Sequence, residues 1–266
     1  MAKKTKSRIE ADRHRLYELS VQCPEADIRF LDRIFKKKHG RLPKILREDF
    51  CGTATMAAEW IRTRKENTAI GVDLDEEVLD WGREHNIKPL GEAASRLTLH
   101  HADVRSISSP KADILAAMNF SYFIFKKREE LRDYFRHAKR ALKPGGLFVL
   151  DIFGGWESQE LTIEEKEMEG FTYLWELMRF NPLTHEVLFH IHFHLNDGRK
   201  IRKAFTYDWR FWTIPEVREL LMEAGFKSAE IYWEGTEKDS GEGDGVFRLT
   251  EKGDHCPGWI AYIVAF

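Results

Sequence analysis

An α/β fold built on a mostly parallel sheet follows from three features of the sequence. Short apolar runs alternate with stretches of helical periodicity between residues 44 and 153, the pattern that β-α-β units produce. Acidic residues close or follow successive apolar runs, namely Glu48, Asp49, Asp73 and Asp103. They fall at the edge where open α/β sheets hold ligands. Residues 154–212 then separate the fifth strand from the next helix start. Connections in α/β units take about 2–6 residues, so this stretch is expected to be an insertion with its own structure.

Each element has a local reason. Ile28, Leu31, Ile34 and Phe35 recur at helical spacing over 24–38, with Pro24 and Glu25 suited to a first turn and Gly40 placed after a lysine cluster. This helix belongs to an N-terminal helical segment, 1–43, that begins with a basic tail. A core over 44–153 follows, with strands at 44–49, 69–74, 97–100, 112–119 and 146–153 and helices at 53–64, 76–85 and 127–142. Inside the insertion, 171–180, 186–195 and 200–210 read as antiparallel strands, separated by the turn signals Asn181-Pro182 and Asn196-Asp197-Gly198. Thr213-Ile214-Pro215-Glu216 is a capping box with proline in the first turn, so a helix runs to 224 and Gly225 stops it. Strands near 227–233 and 258–265 complete a C-terminal part of the core, 213–266, and the acidic, glycine-rich EGTEKDSGEGDG between them reads as a mobile loop.

Composition narrows the partners. A formal net charge of -2 argues against a surface made to neutralise phosphates, so nucleic acid is disfavoured as a partner. Lys3, Lys4, Lys6 and Arg8 are read as a solvated tail. The cysteines Cys23, Cys51 and Cys256 are far apart and lack CxxC spacing. No apolar run reaches the ~20 residues that span a bilayer, and the basic start lacks the apolar stretch of a signal peptide. A cytoplasmic protein with reduced thiols and no membrane contact is expected; oligomeric state has no signature in the sequence.

The loop Arg47-Glu48-Asp49-Phe50-Cys51-Gly52-Thr53-Ala54-Thr55 has one glycine. A GxGxxG fingerprint needs glycines for close approach to a pyrophosphate, and a P-loop needs Gly-Lys-Ser/Thr. Phe50 and Ala54 stand where further glycines would be, so a phosphate cradle is not expected. Asp73, in GVDLD, lies about 20 residues after Gly52, the spacing of an acid that accepts from ribose hydroxyls.

Together with Asp103 in HHADV and LKPGGLFVLD at 142–151, these features resemble the class I S-adenosylmethionine-dependent methyltransferases. The likeness runs from 44 to 153 and more weakly to 233. It implies a Rossmann-like seven-stranded sheet, mostly parallel, with helices on both faces and a small antiparallel insertion. It also implies S-adenosyl-L-methionine as cofactor, held by Glu48, by the loop residues Phe50, Cys51, Gly52 and Thr53, by Asp73 and Leu74 at the ribose, by Asp103 and Val104 near the adenine, and by Asn119. Family members place the acceptor near the end of the fourth strand, here AAMNFSYFIF, so Asn119 and Tyr122 are the catalytic candidates. Their Asn-x-x-Tyr order is similar to the Asn-Pro-Pro-Tyr signature of amino-methyltransferases acting on nucleic acid, but Phe120 and Ser121 replace both prolines that fix that turn. Phe50 departs from the family's usual glycine, and its ring is expected either under the cofactor or in the core behind it.

Methyl transfer by in-line displacement asks the protein mainly for alignment, worth up to ~7–11 kcal/mol in favourable cases. A base is needed only for a protonated nucleophile. The insertion resembles the substrate cover of small-molecule methyltransferases, including sugar-amine and glycine-type N-methyltransferases. In Tyr207-Asp208-Trp209-Arg210-Phe211-Trp212, aromatic rings suit a methylated or cationic amine, and Tyr17, Trp209 and Arg210 are the substrate-binding candidates. His190, His192 and His194 share one strand face, with Phe189, Ile191 and Phe193 on the other. Same-face neighbours on one strand do not converge on an ion without bulges, so no metal is expected; a polar sheet face, or His185 or His190 against substrate, is the reading. The expected activity is methyl transfer to nitrogen or oxygen of a small molecule, with nucleic-acid or protein methylation and a non-catalytic cofactor-binding regulatory module as alternatives.

Overall fold

Alternating apolar runs and amphipathic segments give, along the chain, α1 (Arg13–Val21), α2 (Pro24–His39), β1 (Ile45–Asp49), α3 (Thr55–Thr63), β2 (Thr68–Asp73), α4 (Glu76–Gly82), β3 (Leu97–His101), β4 (Ala112–Ala117), α5 (Arg128–Ala141) and β5 (Leu142–Gly154). There follow β6 (Ile163–Met168), β7 (Phe171–Asn181), β8 (Glu186–Leu195), β9 (Lys200–Arg210), α6 (Ile214–Glu223), β10 (Ala229–Thr236), β11 (Gly243–Thr250) and β12 (Trp259–Ala265). The computed structural model describes residues 11–237 and 243–266. The basic tail with Lys3, Lys4, Lys6 and Arg8, and residues 238–242 of the acidic loop, lie outside the described residues. The chain divides into one unit made of Cys23–Ser158 with Trp212–Phe266, and another made of the chain up to Gln22 with Gln159–Phe211.

The core unit carries a sheet in the order β11-β10-β12-β5-β4-β1-β2-β3. Pairs among β1 to β5 are parallel, and β12, β10 and β11 join antiparallel. Leu46, Val72, Ile114, Ala116, Leu147 and Val149 have no exposed surface, as strands covered on both faces require. α2 presents Phe30 to Tyr262 at 4.6 Å and to Tyr232 at 5.3 Å. α5 buries Leu131, Tyr134 and Phe135, each large side chain stabilising by about 1.5–3 kcal/mol.

This sheet has eight strands, a correction to the seven expected. The extra strand, β11, begins inside the stretch read as a mobile loop. Its Asp244 and Gly245 hide the strand pattern, but Phe247 stacks on Tyr262 at 3.9 Å and anchors it.

The second unit is a four-stranded antiparallel sheet, β6-β7-β8-β9, where three strands were expected. β6 reads IEEKEM and is largely exposed, so it has the charged composition of an edge strand rather than an apolar run. α1 packs Leu16 with Phe171, Ile191, Phe193, Leu195 and Ala204. Asp12 caps it by accepting from the His14 and Arg15 amides at 2.8 and 2.9 Å. The N-terminal segment 1–43 is therefore divided: α1 groups with the inserted sheet and α2 with the core.

Candidate functional site

The carboxyl end of β1 is fixed from behind by a buried ion pair. Arg47, 1% exposed, donates to Asp49 at 2.6 Å, to the Val104 carbonyl at 2.7 Å and to the Ile107 carbonyl, and Tyr134 donates to the other Asp49 oxygen at 3.0 Å. A buried charge is tolerated only with such partners. Through Arg47, β1 is tied to the segment after β3, and the loop between β1 and α3 starts from a rigid base.

That loop is built from left-handed residues. Phe50, Gly52 and Ala54 have φ of 57, 53 and 56°. For a bulky residue this conformation costs about 1–2 kcal/mol, which explains why glycine is the usual choice at the position of Phe50. Its half-buried ring packs against Phe125 and Tyr134, at 6.0 and 5.5 Å. Of the two placements expected for it, the described contacts are those of the core aromatic group.

Ala54 offers α3 no side-chain cap; Glu48 supplies it, accepting from the Ala57 amide at 2.9 Å. Burial lifts the Glu48 carboxyl to about 8. Asp73 accepts from the Gly52 amide at 2.8 Å and the Asp75 amide at 3.0 Å, joining β2 to the loop. On the far side, Gly82 of α4 lies so close that an added Cβ would sit 2.4 Å from the Thr53 carbonyl oxygen, which also accepts from Asn86 at 2.9 Å. A Cβ on Gly52 would meet nothing within 4 Å: open space lies in front of the loop. Leu74, 63% exposed, stands beside it on the chain after Asp73.

Cys51 is buried and its thiol is pushed well above its ordinary range by desolvation. Asp103 accepts from the Arg105 amide at 2.8 Å and from its guanidinium at 3.0 and 2.6 Å. These hydrogen bonds hold its carboxyl below the usual value. Val104 is buried, with its carbonyl taken by Arg47.

The ends of β4 and β5 meet in a second left-handed turn. Asn119 and Phe120, φ 59 and 57°, both donate their amides to Asp151, at 2.6 and 2.8 Å. Asp151, near the carboxyl end of β5, is raised to about 7 by burial. Phe120 packs on Phe153 at 4.5 Å. Tyr122 is fully buried among Phe123 and Phe135, and its hydroxyl has no hydrogen-bond partner among the described residues. Asp27 of α2 accepts from Tyr262 at 2.7 Å, and desolvation raises it to about 6. Asp27 repels the charge of both Glu48 and Asp151, so a cation beside it favours the ionised forms.

Asp151, Asp27 and Gly82 are the residues that sequence reasoning missed. Asp151 closes the quoted LKPGGLFVLD, and a glycine inside a helical pattern such as Gly82 signals a close packing contact; Asp27 gives no sequence signal beyond a first-turn acid. The LKPGG turn itself starts β5, beside the first residue of β4, at the sheet edge away from these acids.

In the inserted unit, Tyr17 lies 5.0 Å from Phe205 and is hydrogen-bonded to Tyr207. Trp209, 5% exposed, lies 4.4 Å from Tyr207, and Trp175 stacks on Phe189 at 4.4 Å. Tyr17 and Trp209 thus share one aromatic face, and Arg210 ends β9 in register with Glu186. On the opposite face His190 bonds Thr206 at 3.0 Å. His192 accepts from the Lys203 amide at 3.0 Å and so presents its other nitrogen as donor to Glu176 at 2.8 Å. His185 sits in the turn before β8, 5.7 Å from Phe180. Among the described residues no group of three His, Cys, Asp or Glu side chains is arranged to hold a metal ion.

A family profile described as a methyltransferase domain matches residues 50–146. No curated protein matches the chain in sequence. Among solved structures, an S-adenosylmethionine-dependent methyltransferase from Clostridium acetobutylicum is similar with a TM-score of 0.68 and 15% identity, over 94% of this chain and 96% of that one. DesVI of Streptomyces venezuelae gives 0.66 and 18%, over 97% and 99%. An amino pentose methyltransferase from Micromonospora echinaspora, involved in calicheamicin biosynthesis, gives 0.64 and 15%, over 97% and 99%. These likenesses establish the fold. Glu48 and Asp151 lie just outside the matched span.

Proposed function

We propose that the chain, whose residues 50–146 match a methyltransferase-domain profile, is an enzyme that transfers the methyl group of S-adenosylmethionine to nitrogen or oxygen of a small molecule. The observation that carries this reading is the acid-lined carboxyl edge of the core sheet, with Glu48 and Asp73 around a loop whose Gly52 faces open space. Such an edge suits a cationic nucleoside without phosphates. When bound, that cofactor supplies an activated methyl group on a sulfonium.

The chain's own residues bind, orient and shield. Asp73 accepts from the Gly52, Asp75 and Leu74 amides, and a carboxylate's about four lone-pair sites leave acceptor capacity for a ribose hydroxyl. Leu74 offers an exposed apolar surface for the base, with Asp103 and Val104 following at β3. Burial raises Glu48 to about 8 and Asp151 to about 7; a bound cation would favour their ionised forms, whose charge acts more strongly in a buried setting than in water. Asn119, held by Asp151, is the catalytic candidate retained for acceptor positioning. Tyr122, sealed in the core, supports the same turn from behind.

For the acceptor, the aromatic face with Tyr17 and Trp209, ended by Arg210, favours a small organic molecule with an apolar or cationic part. The related structures named above include an amino pentose methyltransferase, which supports an amine. No helix among the described residues is long and apolar enough to cross a membrane. The free cysteines fit a reducing compartment, and a cytoplasmic location is part of this reading.

The test is a calorimetric titration followed by transfer assays. S-adenosylhomocysteine should bind and NAD should not; the reverse result overturns the cofactor. Labelled methyl should then pass from S-adenosylmethionine to members of an amine panel. Tight cofactor binding with no transfer to any small molecule in metabolite extracts would favour a regulatory module instead.

A further inference from the structure

At the amino edge of the core sheet lies a cavity of about 630 Å³ that the methyl-transfer reading leaves unused. Lys38, Lys111, Lys139, Lys143 and Lys227 line it, and no Asp or Glu side chain does. Leu142, Leu147, Phe226 and Phe266 give it an apolar floor. Two of the lysines are already committed: Lys38 pairs with Glu230 at 2.8 Å and Lys143 with Asp113 at 3.1 Å. Lys111, Lys139 and Lys227 make no salt bridge among the described residues.

Helix ends account for part of this charge but not all. Lys38 closes α2 and Lys139 closes α5, where cations offset the helix dipole. Lys111 and Lys227 precede β4 and β10 and belong to no helix. Their convergence with Lys139 on one concave, apolar-floored space is not accounted for by a helix dipole. The Phe266 main-chain oxygen beside them is taken by the Lys227 and Ser228 amides at 2.8 and 3.3 Å.

We propose that this cavity is a second ligand site, which takes an organic di- or triphosphate of nucleotide size. Three ammonium groups without a salt bridge among the described residues, Lys139 among them lying over the Phe226 ring at 5.6 Å, match a polyphosphate of equal or greater charge. The floor of Phe226 and Phe266 covers the organic part, and the volume is that of a small-molecule pocket, about 300–1,000 Å³. The site is distinct from the acid-lined crevice, because β4 runs from the cavity to the Asn119 turn, about 20 Å at 3.3 Å per residue. A surface made for nucleic acid would be a longer basic stripe; here the lysines surround one concave space.

The probe is uridine triphosphate, titrated calorimetrically into protein saturated with S-adenosylhomocysteine, so that the crevice is filled. Binding should appear at low salt and weaken as salt is raised. The triple variant Lys111→Gln, Lys139→Gln, Lys227→Gln should lose it by about tenfold or more, while keeping the wild-type affinity for S-adenosylhomocysteine, which also shows that it is folded. The triple arginine variant should retain binding. Absence of binding to the wild type, or equal binding by the glutamine variant, overturns the proposal. So does displacement of the nucleotide by a single-stranded oligonucleotide at lower concentration, which assigns the lysines to nucleic acid.

Discussion

Replacing Asp151 by asparagine should disable the turn that carries Asn119 while leaving the cofactor loop intact. In the wild type, both carboxylate oxygens are occupied by the Asn119 and Phe120 amides, at 2.6 and 2.8 Å. Hydrogen bonds to a charged group are worth about 1.5–3 kcal/mol each. Against them stand two left-handed residues costing about 1–2 kcal/mol apiece, of which Asn119 is the better tolerated and Phe120 the worse. The substituted side chain would keep one acceptor oxygen, but its NH2 would face the second amide, leaving a buried donor unsatisfied at about 1–3 kcal/mol. The variant should therefore lose about 1–3 kcal/mol in urea unfolding and at least tenfold in kcat/KM, with S-adenosylhomocysteine affinity within about twofold of wild type. Because Asp151 ionises at about 7, wild-type kcat/KM should rise through that pH, and this step should vanish in the variant. Wild-type stability together with wild-type kcat/KM in D151N would refute the reasoning.

Further outcomes follow from the same geometry. Glu48 is raised from 4.5 to about 8 in the fold, so its contribution to stability is full below its unfolded value and is lost as pH rises through the folded one. The cofactor-free protein should weaken in urea between pH 5 and 8, and E48Q, whose amide oxygen can still accept from Ala57, should flatten much of that slope; parallel profiles would count against it. Asp27, Asp49 and Asp151 are raised in the same direction and leave a residual slope. Gly82→Ala drives a methyl against the Thr53 carbonyl, so thermal unfolding should show about 1–3 kcal/mol of destabilisation and the titration weaker S-adenosylhomocysteine binding; a neutral G82A would mean that α4 yields freely. Asp73→Ala frees the Gly52 amide and removes ribose acceptors, which should cost about 1–3 kcal/mol of cofactor affinity in calorimetry. Unchanged affinity in folded D73A would remove Asp73 from the site.

Elements with a strong local signal were legible in the sequence. The capping box at Thr213 and Glu216 forms as read, and the apolar runs of β1, β2 and β4 were recognisable because both faces of each strand are covered. β6 and β11 escaped because an exposed edge strand carries charge and glycine, not alternation. Within the site, Glu48 and Asp73 could be placed by spacing, but what they hold could not. Glu48 bonds an amide across the loop, and Asp151 bonds amides of another strand that become neighbours only after β4 and β5 pair. Tyr122 looked accessible because its letters follow a strand end; the three-dimensional turn sends its ring under Phe123 and Phe135. Phe50 was recognisable as an anomaly, and its positive φ gives the physical content of that anomaly.

The core sheet also separates charge along its strands, with Glu48, Asp73 and Asp151 toward one edge and five lysines around the cavity at the other. A formal net charge of -2 therefore conceals an uneven distribution of ionisable groups within the core unit. In dilute buffer molecules with such a distribution attract one another, and added electrolyte, with a screening length of about 10 Å at 0.1 M, weakens that attraction. The protein should dissolve better as salt is first raised, and its second virial coefficient should climb from negative values over the same range.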